Sequence, residues 1–223
     1  MPEQPPRQPA PLDERQPPVG GLETATLALG CFWGPDARFG VVPGVVCTRV
    51  GYAGGERDRP TYRALGDHIE TVQLDYDPDR VGYRELLRIF WAAHDPARRA
   101  PKRQYASAIF VEDEERRRAA AAARDRWEAR AGREAATELI ELDRFWIAEA
   151  YHQKYRLRQH PTLLEAVQRR CPTGRDLVDS TVAARLNGLV AGHGAARLEE
   201  EIELYGLDEE AERHLREVVG RAR

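Results

Sequence analysis

The sequence predicts an α+β fold, a ferredoxin-like two-layer α/β sandwich with a mixed sheet and extra C-terminal helices. Two observations lead to this prediction. Strand-like and helix-like segments interleave over residues 23–160, and at one point two strands follow each other directly, which is typical of helices packed on a mixed sheet. From residue 161 onward the apolar residues recur only with helical spacing.

The first segment, residues 1–22, contains seven prolines and almost no large apolar side chain. Such a segment cannot bury enough surface to offset the entropy lost on ordering, so we predict a disordered proline-rich tail. The segment also lacks the apolar stretch of a secretory signal, and no run in the chain approaches the roughly 18 apolar residues of a membrane-spanning helix. We therefore expect a cytoplasmic protein.

Residues 23–76 predict three strands and one helix. Residues 23–30 form a short apolar strand that ends in glycine, and Pro35 suits the first turn of the helix that follows. A second strand is expected at 45–52. Residues 68–76 alternate with the period of a strand, so every second side chain lies on the same face. One face of this third strand carries Glu70, Val72, Leu74 and Tyr76.

The later elements follow from the same two periodicities. An amphipathic helix is predicted at 83–93, and a long helix rich in alanine and arginine at 112–131. Strands are predicted at 104–111 and 136–142. Residues 148–158 (AEAYHQKYRLR) predict another helix, which ends before Pro161. The expected organisation is a tail over 1–22, a folded domain over 23–160 and a helical C-terminal extension over 161–223.

The composition gives no sign of a nucleic-acid, membrane or metal partner. The formal net charge is −3, so no long-range attraction to phosphate groups is expected. Three cysteines, Cys31, Cys47 and Cys171, are too few and too widely spaced for a disulfide scaffold. None belongs to a C-x-x-C pair, which argues against zinc. We expect a monomer without a bound cofactor.

Cys31 stands where the first strand passes into a helix. Unpaired backbone N–H groups and the positive end of the helix dipole favour a thiolate at such a position. The flanking Gly30 and Gly34 would let another molecule approach closely, and Phe32 with Trp33 would form an apolar wall. Cys31 is therefore a candidate nucleophile. The alternative is a core cysteine at the end of a strand, because free cysteine is often buried.

Glu70 is the second candidate, because it shares a strand face with three apolar residues. If that face points inward, loss of water raises the pKa of the carboxyl group, which then becomes a proton donor near neutral pH. If the face points to solvent, Glu70 is an ordinary surface acid. The pattern alone leaves both interpretations open.

Nine short motifs, in the same order along the chain, resemble the A-type peptide methionine sulfoxide reductase family. The resemblance covers roughly residues 24–160 and begins with the signature GCFWG at 30–34. The other eight are VPGV (42–45), VGYAGG (50–55), PTY (60–62), HIE (68–70), YDP (76–78), HDP (94–96), QYASAIF (104–110) and AEAYHQKY (148–155).

The resemblance implies a mechanism. The Cys31 thiolate would attack the sulfur atom of methionine sulfoxide, while Glu70 protonates the sulfoxide oxygen. Tyr62 and Tyr105 would donate hydrogen bonds to that oxygen as it gains negative charge. Methionine would leave, and Cys31 would become a sulfenic acid. The resemblance also implies that two residues bind the S-methyl group of the substrate and select the S epimer, Phe32 and Trp33.

The chain differs from the family in the cysteines that could return Cys31 to its reduced form. Many members carry resolving cysteines in a glycine-rich tail directly after the AEAYHQKY segment, whereas residues 162–170 here predict a helix. Cys171 is the resolving candidate because it begins a turn-like Cys-Pro-Thr-Gly sequence, and the alternative is a plain surface or partly buried cysteine. Cys47 lies in a predicted strand and is interpreted as packing. Direct reduction of Cys31 by thioredoxin or a small thiol is the other route.

The predicted function is therefore thiol-dependent repair of methionine S-sulfoxide, free or in proteins, under oxidative stress. A second hypothesis is a diverged peptide-binding module that keeps the scaffold without turnover, which the joint presence of Cys31, Glu70, Tyr62 and Tyr105 disfavours. A third hypothesis is a cysteine hydrolase. The sequence shows no recognisable partner that would orient a catalytic base toward the thiol, which argues against it.

Overall fold

Six strands form one mixed sheet in a computed structural model that describes residues 12–14, 20–171 and 173–221. The strands are β1 (Glu23–Leu29), β2 (Val45–Ala53), β3 (Ile69–Tyr76), β4 (Ser107–Val111), β5 (Glu138–Glu141) and β6 (Phe145–Ile147). Their order across the sheet is β5-β4-β1-β3-β2-β6. Neighbouring strands are antiparallel except for the parallel pair β4 and β5, so the predicted mixed sheet is confirmed.

Helices connect and cover these strands, which confirms the α+β class. They are α1 (Trp33–Gly40), α2 (Tyr83–Ala92), α3 (Glu114–Ala131), α4 (Pro161–Gln168), α5 (Gly174–Asp179), α6 (Thr181–Leu189), α7 (Leu198–Glu201) and α8 (Glu209–Arg221). In the part of the chain that the structure describes, none of the helices has the length and apolar character needed to cross a membrane.

The main core lies between one face of the sheet and helices α2 and α3. The amphipathic pattern of α2 is realised, because its apolar stripe is buried against the sheet. The same face of β3 carries Val72, Leu74 and Tyr76, all fully buried. Glu70 belongs to this face and is 1% exposed. The hypothesis that Glu70 is a surface acid is therefore wrong.

The helix predicted at 148–158 is absent. Residues 150–156 form turns, followed by one 3-10 turn at Leu157–Gln159. The Gln153 side chain accepts from the Val50 N–H at 3.0 Å and donates to the Val50 carbonyl at 2.8 Å, as a neighbouring strand would. Lys154 has a φ of 52°, which no right-handed helix contains. Tertiary bonds to β2 have thus overridden the helical periodicity.

The C-terminal helices pack back on the domain through α6, which crosses α1 at very short range. A Cβ atom on Gly40 would lie 2.4 Å from the Ala184 carbonyl oxygen, and one on Gly188 would lie 2.3 Å from that of Ala37. Both glycines are therefore needed for the close approach. Buried Arg185 of α6 donates to the carbonyls of Gly40 and Val45.

Three residues of the predicted tail belong to this assembly. Leu12–Glu14 form a 3-10 turn, and the Asp13 carboxylate accepts from the Ser180 hydroxyl at 2.9 Å and the Val182 N–H at 3.2 Å. The prediction of disorder does not hold for these three residues. The tail residues 1–11 and 15–19 lie outside the described part of the chain.

A buried polar network joins α1, β2, α6 and the turns after β6. The Asp36 carboxylate accepts from the Thr48 hydroxyl at 2.5 Å, from Lys154 Nζ at 3.4 Å and from Asn187 Nδ2 at 3.1 Å. All four residues are fully buried. The charges are therefore satisfied only by each other and by neighbouring polar groups.

Replacement of Lys154 by methionine should lower the free energy of unfolding by about 3–5 kcal/mol, because it leaves the Asp36 carboxylate buried without its cation. Urea denaturation followed by circular dichroism measures the change. The double variant Lys154→Met with Asp36→Asn should lose less than the sum of the two single losses, since neither charge is then left alone. Arg88→Met, which breaks only an exposed pair with Glu85, is the control and should leave the midpoint unchanged.

Candidate active site

Cys31 lies at the junction of β1 and α1, as predicted, and it is exposed to solvent. The preceding Gly30 has a φ of 96°, a backbone conformation that favours glycine. The chain therefore turns sharply after β1 and presents the thiol at the surface. The hypothesis of a core cysteine is wrong for this position.

The Glu70 carboxyl group lies directly beside this thiol. Glu70 Oε2 accepts from the Phe32 N–H at 3.1 Å, and Oε1 accepts from Gln104 Nε2 at 2.6 Å. The charge of this carboxylate also acts on the Cys31 thiol. Burial raises the pKa of Glu70, although its interactions with Phe32, Gln104 and Cys31 act in the opposite direction. A raised pKa keeps the group closer to its protonated form at neutral pH.

The thiol pKa departs from the sequence-based expectation. Burial raises the pKa of Cys31, the Trp33 N–H at the helix start lowers it, and the negative charge of Glu70 raises it again. The net shift is upward, so the prediction of a favoured thiolate is wrong for the free protein. The helix start contributes as expected, but loss of water and a neighbouring carboxylate outweigh it.

The Glu70→Gln variant should move the midpoint of Cys31 alkylation to lower pH, because it removes the charge that disfavours the thiolate. The pH dependence of the iodoacetamide reaction rate measures this midpoint. Wild type should titrate above an ordinary thiol. Glu141→Gln, an exposed carboxyl change at the end of β5, should leave the midpoint in place. A midpoint that stays unchanged or rises in Glu70→Gln would show that the Glu70 charge does not raise the pKa of the Cys31 thiol.

Tyr62 and Tyr105 lie close to each other and to this pair. Tyr62 lies on the loop between β2 and β3 and is 41% exposed. Tyr105 ends the 3-10 turn Arg103–Tyr105, which replaces the first part of the strand predicted at 104–111. Burial, the neighbouring Tyr62 hydroxyl and the charges of Glu70 and Cys31 raise the pKa of Tyr105 to about 12. Tyr105 therefore keeps its proton at neutral pH and can donate it in a hydrogen bond.

The two aromatic residues after Cys31 differ in exposure. Phe32 is fully buried and Trp33 is half-buried, so Trp33 offers the accessible ring while Phe32 lies behind it. The Trp33 indole stacks on Tyr155 with centroids 3.6 Å apart and donates from Nε1 to His152 Nδ1 at 3.3 Å. His152 is 2% exposed. His152 is therefore a buried histidine that accepts a hydrogen bond from the Trp33 indole.

The other two cysteines lie elsewhere. Cys47 is buried at the bulge of β2 and donates to Asp75 Oδ2 at 3.4 Å, and burial with the Asp75 charge raises its pKa to about 12. Cys171 is 6% exposed in the core of the C-terminal helices and hydrogen-bonds with Ser180. Burial raises the pKa of the Cys171 thiol. The structure does not bring Cys171 to Cys31, and Cys47 packs as predicted.

Sequence reasoning did not single out two polar residues of this region, Gln104 and Glu149. Gln104 donates to Glu70, 34 residues away, and Glu149 accepts from the Tyr62 N–H, 87 residues away. Both lie inside motifs that match the family, QYASAIF and AEAYHQKY, and this is the signal that could have found them. Over the described residues, no group of three or more side chains of the metal-binding types comes together.

An exposed thiol beside a buried carboxyl group and two tyrosine hydroxyls is an arrangement typical of an enzyme active site. A sequence model described as peptide methionine sulfoxide reductase matches residues 23–183. The peptide methionine sulfoxide reductase of Drosophila melanogaster is 44% identical over 187 residues, which cover 82% of this chain and 75% of that protein. The match reaches beyond residue 160, where the motif resemblance ends.

Solved structures agree. Mxr1 from Saccharomyces cerevisiae in its reduced form superposes with a TM-score of 0.59 and 28% identity, covering 66% of this chain and 90% of the yeast chain. Methionine sulfoxide reductase A of Corynebacterium diphtheriae gives a TM-score of 0.55 and 30% identity, covering 69% and 86%. The chain belongs to the peptide methionine sulfoxide reductase family. The family predicted from the motifs, and an oxidoreductase acting on sulfur, are confirmed.

Proposed function

We propose that this chain reduces the S epimer of methionine sulfoxide, free or in proteins, with Cys31 as nucleophile and Glu70 as proton donor. One observation carries the proposal. The exposed Cys31 thiol lies beside a buried carboxyl group, that of Glu70, which hydrogen bonds from the Phe32 N–H and Gln104 hold in position. A nucleophile and an acid held within hydrogen-bond reach of one another are the minimal requirement for this chemistry.

The reaction transfers one oxygen atom and two electrons. The Cys31 thiolate sulfur attacks the sulfoxide sulfur and forms an S–S bond, and the sulfoxide oxygen receives the proton of Glu70 and becomes a hydroxyl group. The S–S bond and the bond from the methionine sulfur to this hydroxyl then break as the hydroxyl bonds to the Cys31 sulfur. Methionine leaves with an electron pair on its sulfur, reduced by two electrons, and Cys31 becomes a sulfenic acid. A dithiol then reduces the sulfenic acid to the thiol, is itself oxidised to a disulfide, and releases water.

The surrounding side chains support binding and charge stabilisation in this proposal. The paired hydroxyls of Tyr62 and Tyr105 donate to the sulfoxide oxygen as negative charge develops on it. Trp33 supplies the accessible apolar surface for the S-methyl group, and Phe32 supports that surface from behind. Because Trp33 is fixed by Tyr155 and His152, the methyl site is rigid and can distinguish the two epimers.

The dithiol is proposed to be external, such as thioredoxin. Cys171, the resolving candidate, is buried among the C-terminal helices and hydrogen-bonded to Ser180. An intramolecular disulfide would require those helices to move. Mass spectrometry after sulfoxide treatment without reductant separates the two routes. A persistent Cys31 sulfenic acid supports direct reduction, and a Cys31–Cys171 disulfide would instead make Cys171 the resolving cysteine.

The experiment that tests the function measures dithiothreitol-driven reduction of each sulfoxide epimer separately, with free and peptide-bound substrate. Turnover of the S epimer with little turnover of the R epimer is expected. No turnover of either epimer would refute the reductase assignment and favour the binding-module hypothesis.

The scaffold proposed for this reaction is the ferredoxin-like sandwich. The strand order β4-β1-β3-β2, all antiparallel, with α1 between β1 and β2 and α2 between β3 and β4, supports it. Strands β5 and β6 extend the sheet at its two edges. This arrangement places Cys31 at the end of β1 next to Glu70 at the start of β3.

A further inference from the structure

Glu149 bonds to two parts of the chain, the loop that carries Tyr62 and strand β2, and the proposed mechanism requires that these two keep a fixed relative position. It follows β6, and its side chain is half-buried. Glu149 Oε1 accepts from the Tyr62 N–H at 3.0 Å, and Oε2 accepts from the Tyr52 hydroxyl at 2.8 Å. One carboxylate thus bridges the loop between β2 and β3 to the body of the sheet.

The Tyr52 end of the bridge is rigid. Tyr52 is fully buried in β2, and it pairs in register with Glu70 on β3. Its ring lies 5.9 Å from that of Phe32, the residue after Cys31. Anything bonded to the Tyr52 hydroxyl is therefore fixed relative to both the thiol and the acid.

The Tyr62 end of the bridge lies in the less restrained part of the chain. Tyr62 lies in an exposed stretch of the loop, where Thr61 and Ala64 form only an isolated bridge. Its hydroxyl must nevertheless meet that of Tyr105 above Cys31. The Glu149 bond restrains the Tyr62 backbone itself, and misplacement of a catalytic group by about 1 Å can cost about 100-fold in rate.

We infer that Glu149 is a positioning residue that holds the Tyr62 hydroxyl over the Cys31 and Glu70 pair. The inference rests on the proposed function, because it concerns the same site. Burial raises the pKa of Glu149, but hydrogen bonds from the Tyr62 N–H, its own N–H and the Tyr52 hydroxyl lower it below its usual range. Glu149 therefore stays ionised at neutral pH and accepts both bonds through separate oxygens.

The test is the activity of Glu149 variants on the S epimer with dithiothreitol. Glu149→Ala should lose roughly 10- to 100-fold in kcat/KM, mostly in kcat, because the positioning acts on the transition state. Glu149→Gln should stay within about threefold of wild type, because its amide oxygen can accept from Tyr62 N–H and its amide nitrogen can donate to the Tyr52 hydroxyl. Glu134→Ala, an exposed carboxyl change on the connection between α3 and β5, is the matched control.

A double-mutant cycle with Tyr62→Phe separates positioning from general stability. If Glu149 acts through the Tyr62 hydroxyl, Glu149→Ala should cause little further loss in the Tyr62→Phe background. Additive losses, or full activity of Glu149→Ala, would overturn the inference while leaving the reductase function intact. An inactive wild type would instead refute the proposed function. If Glu149→Ala fails to fold by circular dichroism, Glu149→Asp, whose shorter carboxylate cannot span both partners, replaces it in the cycle with the same expected outcomes.

Discussion

Cys31→Ser should abolish the reduction of methionine S-sulfoxide, with a loss of roughly four orders of magnitude or more, the scale observed when a nucleophile is removed from an enzyme. A serine hydroxyl remains protonated at neutral pH and is a far weaker nucleophile than a thiolate. The serine would keep the geometry at the end of β1, so the loss reports chemistry rather than folding. Single-turnover formation of methionine, followed by chromatography, measures the rate.

The matched control for this variant is Cys47→Ser. Cys47 is a buried thiol bonded to Asp75, outside the site, and a serine hydroxyl can make the same bond. This variant should retain the wild-type rate with dithiothreitol. Turnover by Cys31→Ser near the wild-type rate, or an equal loss in Cys47→Ser, would show that Cys31 is not the nucleophile.

Glu70→Gln should lower the rate of the reduction step by roughly 100- to 10,000-fold, the range that general acid catalysis contributes. Glutamine preserves the size and the acceptor for Phe32 N but carries no transferable proton. Because burial raises the pKa of Glu70, the wild-type rate should fall as the pH rises through that raised value and the acid is lost. The variant should lack this alkaline decline. Stopped-flow single turnovers over a pH series measure both effects.

Glu141→Gln serves as the control, since its exposed carboxyl group lies at the far edge of the sheet on β5. Its pH profile should coincide with that of wild type. A Glu70→Gln enzyme with near-normal rates would exclude Glu70 as the acid, and the proton would then have to come from one of the two tyrosines.

The local part of this site could be predicted from sequence. Strict alternation in β3 placed Glu70 on the face of Val72 and Leu74, although the pattern left open whether that face is buried. The position of Cys31 between a strand and a helix also follows from local signals, glycine before and proline after. These features depend on residues that are close together along the chain.

The other features of the fold and of the site depend on contacts between residues that are far apart along the chain. The pKa of Cys31 is raised first by burial and then by the charge of the neighbouring Glu70, and no local pattern contains either effect. Residues 150–156 are turns because Gln153 bonds to Val50, 103 residues away. The bridge from Glu149 to Tyr62 is of the same kind. Periodicity describes one segment at a time, so it does not predict contacts between distant segments.

The network around Asp36 has a consequence for how the chain can be divided. Asp36 follows Cys31 by five positions, and its carboxylate is satisfied in part by Asn187 of α6. Removal of the C-terminal helices would open this carboxylate to water and expose the face of α1 that Gly188 touches. We therefore expect a chain cut at residue 160 to be less stable than the full chain, because α1 and α6 share buried polar and backbone contacts.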